Sequence, residues 1–344
     1  MGKCLVTKLQ GSVDNPNLLK IGEMPIYVKK STESIASQYK LTVLTSKASE
    51  IKIVGDGYFT DSTMAENKGK TASIPANVST TVYFSNGDYY ALISNKYNIV
   101  NFQLTDDGSS RVNYIYINTD DLKYSNNLKS LKLTSSDSFG NTDAFQNKKM
   151  VDVYINNTNI EGDINNIDIT NLRNLNISTP KVSFDLKTLA GTTNINSVAF
   201  ADSTLQTGDF TNLKENTGMS YVGIIGKGLS LNLEDLSKFT SLHQKIMQIF
   251  TDNISGNIGT VNNIITFITN NKLREYTYTE TNRTNIISVN NIKLSNIDKF
   301  LNDMSELQPT ESKVMNLYGT RTSASDSAVQ TLQSKGYTIS VTPA

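Results

Sequence analysis

Cysteine and histidine are nearly missing from this chain: Cys4 and His243 are the only examples in 344 residues. A single thiol excludes disulfides within the chain and thiolate metal clusters. Cys4 itself reads as a small packing residue rather than a reactive thiol. A lone histidine leaves a catalytic triad or a zinc site without partners, and His243 lies in an apolar-periodic stretch, as a surface or packing residue would. Excess charge of one sign is missing too. Thirty-two Lys and Arg balance 32 Asp and Glu, which argues against the basic footprint of a nucleic-acid binder or an anionic-membrane binder. No apolar run approaches the roughly 20 residues that span a bilayer, so membrane insertion is not expected. The opening Met1-Gly-Lys-Cys-Leu-Val-Thr-Lys-Leu has no apolar signal-peptide core; the expectation is a protein made and kept in the cytosol, unless lysis releases it. Catalytic signatures are also lacking. Gly223-Ile-Ile-Gly226-Lys227-Gly228 does not have the spacing of a phosphate loop, and no motif singles out a carboxylate pair for glycoside hydrolysis. The chain reads as a non-enzyme with no catalytic residue, cofactor or metal.

What the chain does have is a repeat. Between about residues 128 and 258 a short apolar triplet recurs at Leu131, Val153, Leu175, Val198 and Tyr221, with gaps of 22, 22, 23 and 23. A second series keeps phase with it: Asn141, Asp163, Asp185, Asp209, Asn232 and Asn257. From Asp163 on, an apolar residue follows each member at once. The period lies in the roughly 20–29-residue range of leucine-rich repeats. A unit this short cannot cover its own apolar face, so it must stack on neighbours. The Asp/Asn series is explained by turn chemistry, because these side chains accept hydrogen bonds from nearby backbone N–H groups. Gly162, Gly208 and Gly256 precede three of its members, consistent with tight turns. Calcium is disfavoured, since half the rungs are Asn and no two acids share a turn. Helix-like segments are expected at 165–172, 187–190, 211–215, 234–238 and 261–270, with further helical spacing over 239–250 and 261–268.

The rest of the chain divides around this array. Residues 1–30 read as an extended arm whose apolar residues (Cys4, Leu5, Leu9, Leu18, Leu19, Ile21 and Ile26) form either an edge strand or a docking segment for a partner. Residues 31–118 show six runs of alternating pattern separated by Asp-Gly and Asn-Gly pairs, as in a β-sandwich-like domain. Residues 119–344 form the array, closed by an irregular cap with a helix over 323–334, Gly336 at its end and a last strand over 337–341. The expected fold class is α+β: an N-terminal all-β domain followed by a leucine-rich-repeat-like solenoid of short parallel strands with short helices.

The units Ile160-Glu-Gly-Asp-Ile164 and Ile254-Ser-Gly-Asn-Ile258, with Leu172-Arg-Asn-Leu-Asn-Ile177, resemble leucine-rich repeats of Bacteroidetes surface proteins. The closing Leu332-Gln-Ser-Lys-Gly-Tyr-Thr-Ile-Ser-Val341 is similar to the end of such proteins. The opening nine residues and Leu18-Leu-Lys-Ile-Gly-Glu-Met-Pro-Ile26 resemble the N-termini of structural proteins of crAss-like phages, which infect Bacteroides. That resemblance implies a virion structural protein of head fibre or decoration type, made in the host cytoplasm and carried on the capsid surface. Its expected partners are the capsid or other fibre proteins, a second or third copy of itself, and host surface polysaccharide met by the amide- and hydroxyl-rich flank of the array. A tail fibre or receptor-binding protein, and a bacterial leucine-rich-repeat adhesin, are the alternatives.

Overall fold

The structure is a computed structural model, and it describes residues 22–29, 39–60, 70–85, 87–105, 115–134, 137–156, 158–201, 205–225, 228–236, 248–250, 253–256, 266–268, 274–276, 288–306 and 313–343. The chain is a sheet-rich α+β protein with few helices and extensive parallel pairing. It divides into two compact units, Met1–Leu128 with Ser136–Ser138, and Lys129–Ser135 with Phe139–Ala344.

The first unit is built from antiparallel strands, and its described residues contain no α-helix. One sheet runs in the order Thr71–Ile74, Ser49–Val54, Tyr89–Ile93, Met24–Val28, Ile115–Tyr116. A second set runs in the order Ile99–Thr105, Tyr39–Thr45, Thr80–Phe84, Phe59–Thr60. Strand periodicity explains the burial: Ile51 and Ile53 are buried while Lys52 between them is exposed. Met24, Ile26 and Val28 fill the same core. The arm residue Ile26 is therefore not a docking contact in this fold. Its strand lies inside the sheet, between Tyr89–Ile93 and Ile115–Tyr116, and the side chain is fully buried. That burial is worth about 1.5–3 kcal/mol to the unit itself. Cys4, Leu5, Leu9, Leu18, Leu19 and Ile21 lie outside the described residues. On the opposite face of this sheet Tyr90, Tyr27 and Tyr116 stand in adjacent register positions. Tyr27 and Tyr116 stack with ring centroids 5.0 Å apart, and the Lys29 ammonium sits 4.9 Å over Tyr116.

The second unit carries two parallel ladders, to which successive repeats contribute one rung each. The long ladder takes Ser130–Thr134, Asp152–Asn156, Asn174–Ser178, Ser197–Phe200, Tyr221–Ile225, Gln248–Phe250, Thr266–Ile268, Ser288–Leu294, Lys313–Tyr318 and Tyr337–Thr342 in chain order. The short ladder takes Phe139–Asn141, Asn159–Asp163, Val182–Asp185, Gln206–Asp209, Leu229–Asn232 and Asn253–Ser255. Leu131, Val153, Leu175, Val198 and Val222 occupy one register row and are all buried. The sequence series had Tyr221 as its last member; the pairing puts Val222 there instead, because this repeat is one residue longer and Tyr221 opposes Ser197.

The helix-like connections are tighter than α. Ile169–Asn171, Leu186–Leu189 and Phe210–Leu213 are single 3₁₀ turns, and only Leu233–Leu236 forms an α turn. With three or four residues available, an i→i+3 bond closes a turn where i→i+4 ladders cannot develop. Within the two stretches read as helical over 239–250 and 261–270, Gln248–Phe250 and Thr266–Ile268 are strands of the long ladder. Short apolar runs do not distinguish the two periods. The described C-terminal part alternates strand and helix. Helix Ile297–Glu306 buries Ile297, Phe300, Leu301 and Met304, one face at i, i+3, i+4 and i+7, and packs on helix Asp326–Ser334.

Candidate functional site: the open face of the long ladder

Each rung of the long ladder points alternate side chains into the core, so the intervening ones form rows on the other face. The first row is Ser130, Asp152, Asn174, Ser197 and Tyr221; the second is Lys132, Tyr154, Asn176, Ala199 and Gly223. A hydrogen-bonded polar chain runs along the first row. Asn174 Nδ2 donates to Asp152 Oδ1 at 2.6 Å, Asn196 Nδ2 to Asn174 Oδ1 at 3.3 Å, and Ser220 Oγ to Asn196 Oδ1 at 2.9 Å. Each donor comes from the repeat after its acceptor, so the period itself builds the row.

Tyr154 stands in the second row, and Tyr221 of the first row reaches the far end of it. Lys132 holds its ammonium 5.7 Å over the Tyr154 ring. At the other end the Tyr221 ring lies against Gly223: a Cβ there would sit 3.0 Å from Tyr221 Oη, 3.2 Å from its Cε1 and 3.4 Å from the Ala199 Cβ. The absence of a side chain at Gly223 is what lets the ring lie down. Partial burial raises both phenols, with the Asp152 carboxylate adding to the effect on Tyr154; both stay neutral donors and acceptors at neutral pH. Between Tyr154 and the Tyr221 ring against Gly223 the row holds Asn176 and Ala199, with Tyr154 and Gly223 three strand spacings apart, or roughly 14 Å. Aromatic faces and amide rows offer stacking and hydrogen bonds to neutral polar ligands.

The Asp/Asn series lies elsewhere, at the ends of the short-ladder rungs. Asn141 Oδ1 accepts the N–H of Asp143, Asp163 that of Asn165, Asp185 that of Lys187, Asp209 that of Thr211, and Asn232 that of Glu234, all at 2.8–3.1 Å. These are caps of one-turn segments, repeated in register. Burial pushes the Asp209 carboxyl up, but hydrogen bonds from Ser230 Oγ (2.5 Å) and Thr211 outweigh it and hold the group below the usual carboxylate range. Asn257 and His243 lie outside the described residues, as do Gly226 and Lys227 of the glycine-containing stretch. Among the described residues no group of three or more His, Cys, Asp or Glu is placed to hold a metal, and no helix is long and apolar enough to cross a membrane.

Two features escaped the sequence. Asn216 is fully buried; its Oδ1 accepts the Ile195 N–H at 2.9 Å and its Nδ2 donates to Thr192 Oγ1 at 3.0 Å. The only signal was an Asn three residues beyond the apolar Leu213. The polar row of Asp152, Asn174 and Asn196 was legible as spacings of 22 and 22, but Asn is so frequent in this chain that the pattern did not stand out. Comparison with protein-family models and with curated proteins finds no match to this chain.

Proposed function

We propose that the protein is a structural component of a phage virion, of the head fibre or decoration type. In this reading the second unit is a leucine-rich-repeat-like solenoid displayed outward, and the N-terminal segment with the first unit docks to the capsid or to another fibre protein. The displayed function is binding, not turnover: the open face of the long ladder takes host surface polysaccharide weakly, and copy number multiplies the affinity. The observation that carries the binding role is the bracketed row of Tyr154, Asn176, Ala199, Gly223 and Tyr221 beside the Asp152–Asn174–Asn196 polar chain. Two tyrosine rings roughly 14 Å apart beside a row of amides suit a sugar chain, whose C–H faces stack on aromatic rings while its hydroxyls meet amides. The virion assignment rests on the resemblance of residues 1–26 to structural proteins of crAss-like phages.

Mass spectrometry of purified phage particles tests the virion role, and absence of the protein from intact particles sinks it. The binding role is tested by retention of the full chain on immobilised Bacteroides capsular polysaccharide. Tyr221→Ala is expected to weaken retention by about 2- to 13-fold with an unchanged circular dichroism spectrum, since one aromatic stacking contact is worth about 0.5–1.5 kcal/mol. Equal retention of wild type and variant rules this face out.

A further inference from the structure

The connections that close successive repeats are not all one length. Phe145 to Met150 and Ile167 to Leu172 are five residues apart, whereas Leu189 to Ile195 and Leu213 to Met219 are six. All eight of these anchors are buried, so the extra residue is carried outside the core. Between the two longer connections a side chain fills the added space. Asn216, three residues past Leu213, is fully buried; its Oδ1 accepts the Ile195 N–H and its Nδ2 donates to Thr192 Oγ1. At the step from the short connection to the long one a cavity of about 260 Å³ opens instead. It is lined by Ile169 and Thr170 from one repeat and by residues 190–194 from the next.

We propose that this cavity holds one neutral pyranose ring of a glycan. Size sets the first limit: the volume lies just under the roughly 300 Å³ at which pockets for drug-sized molecules begin, which suits a ring and not a chain. Ile169 is part-exposed, and Ala190 and Gly191 are exposed beside it, so the C–H face of a sugar meets an apolar floor. Gly191 has φ +78° and nothing within 4 Å of a Cβ, which keeps that wall low. The exposed Thr193 and Asn194 supply a hydroxyl and an amide, groups that both donate to and accept from sugar hydroxyls. Thr192 is already committed, since its Oγ1 donates to Leu189 O at 2.7 Å and accepts from Asn216. Charge selects against acidic sugars. No Lys or Arg lines the cavity, and the Asp168 carboxylate stands next to Ile169, accepting the Thr170 N–H at 2.9 Å. This is a second sugar contact, in the connections and not on the open face, and it stands whether or not that face binds.

Titration of the isotope-labelled full chain with glucose, galactose and mannose, followed through its amide NMR spectrum, reads the site residue by residue. At least one of these sugars is expected to shift the amides of Thr170, Gly191, Thr193 and Asn194 together. Saturation is expected in the millimolar range, because a single ring held by a few neutral contacts gains little beyond the cost of binding. Thr193→Val keeps the shape, removes the hydroxyl at an exposed position, and is expected to weaken binding about 2- to 13-fold. Ala190→Trp, also at an exposed residue, fills the cavity and is expected to abolish the shifts while the rest of the spectrum stays native. Glucuronate is expected not to bind. The proposal is overturned if none of the three sugars moves these amides, if glucuronate binds as tightly as they do, or if both variants bind like the wild type. Shifts confined to Asn176, Ala199 and Gly223 assign the sugar to the open face and overturn it as well.

Discussion

Substituting alanine for Gly208 imposes two separable costs on the short ladder. The residue has φ +105°, which a side chain rarely adopts, and forcing alanine there costs about 1–2 kcal/mol. The added Cβ would also lie 2.7 Å from Asp185 Oδ1 and 3.0 Å from Leu186 N and Cβ. It therefore pushes on the carboxylate that caps the preceding turn through Lys187 N at 2.9 Å, and losing such a cap costs about 1 kcal/mol more. The expected total for Gly208→Ala is about 2–3 kcal/mol. Two other glycines isolate the terms. Gly191 has φ +78° with nothing within 4 Å of a Cβ, so Gly191→Ala pays conformational strain alone, about 1 kcal/mol. Gly218 also faces open space and has no positive φ, so Gly218→Ala should be neutral, or stabilising by about 0.5 kcal/mol through the unfolded chain. Urea titrations followed by far-ultraviolet circular dichroism give the three midpoints, since the chain has no tryptophan to report. If Gly208→Ala is no worse than Gly191→Ala, the cap-on-glycine contact between repeats is not a source of stability. If Gly218→Ala is as damaging as either, local conformation does not govern these positions at all.

Asn216→Ala strands the buried N–H of Ile195 and removes the donor to Thr192, and is expected to cost about 2–4 kcal/mol in the same titration; a loss under about 0.5 kcal/mol, the range of a surface substitution, would mean that the side chain is dispensable. The tyrosine row of the first unit predicts an alkaline limit. Burial pushes Tyr116 up to about 12 and also raises Tyr27 and Tyr90. Groups with raised values hold their full contribution to stability below the ordinary tyrosine value near 10, and lose it as pH climbs through the raised one. Absorbance at the phenolate band should therefore show a late-titrating set coincident with unfolding between pH 10 and 12; complete ionisation by pH 10.5 with the fold intact would contradict the packing.

Legibility tracked how many independent constraints each element obeyed. The rungs at Leu131, Val153 and Leu175 were readable because apolar alternation and a fixed period agree there, and stacking demands both. The turn residues Asp163, Asp185 and Asp209 were readable because only Asx chemistry satisfies the exposed N–H groups at those bends. The short connections misled, because apolar pairs spaced by three residues fit a helix and a 3₁₀ turn equally well. Ile26 misled for another reason: a strand whose partners Tyr89–Ile93 and Ile115–Tyr116 lie more than 60 residues away leaves no local trace of its pairing. The open-face site lay beyond the sequence because it depends on register. Placing Tyr221 one residue out of phase turned a half-buried, outward ring into an inward one, since a slip of one residue exchanges the two faces of a strand.

That slip also shows where this array can change without unfolding. From Leu175 to Val198 and from Val198 to Val222 the repeat lengthens, from 22 residues to 23 and then 24, yet the paired rows stay in register. The extra residues fall in the connections and not in the paired rungs. Residues pointing inward are fixed by stacking on both neighbours; in the second outward row Asn176 is part-exposed, whereas Ala199 and Gly223 are themselves buried, Gly223 against the Tyr221 ring. A ladder of this kind therefore divides the demands on its sequence: the inward row sets the shape, and the part-exposed outward positions Lys132, Tyr154 and Asn176 are those where the surface can vary.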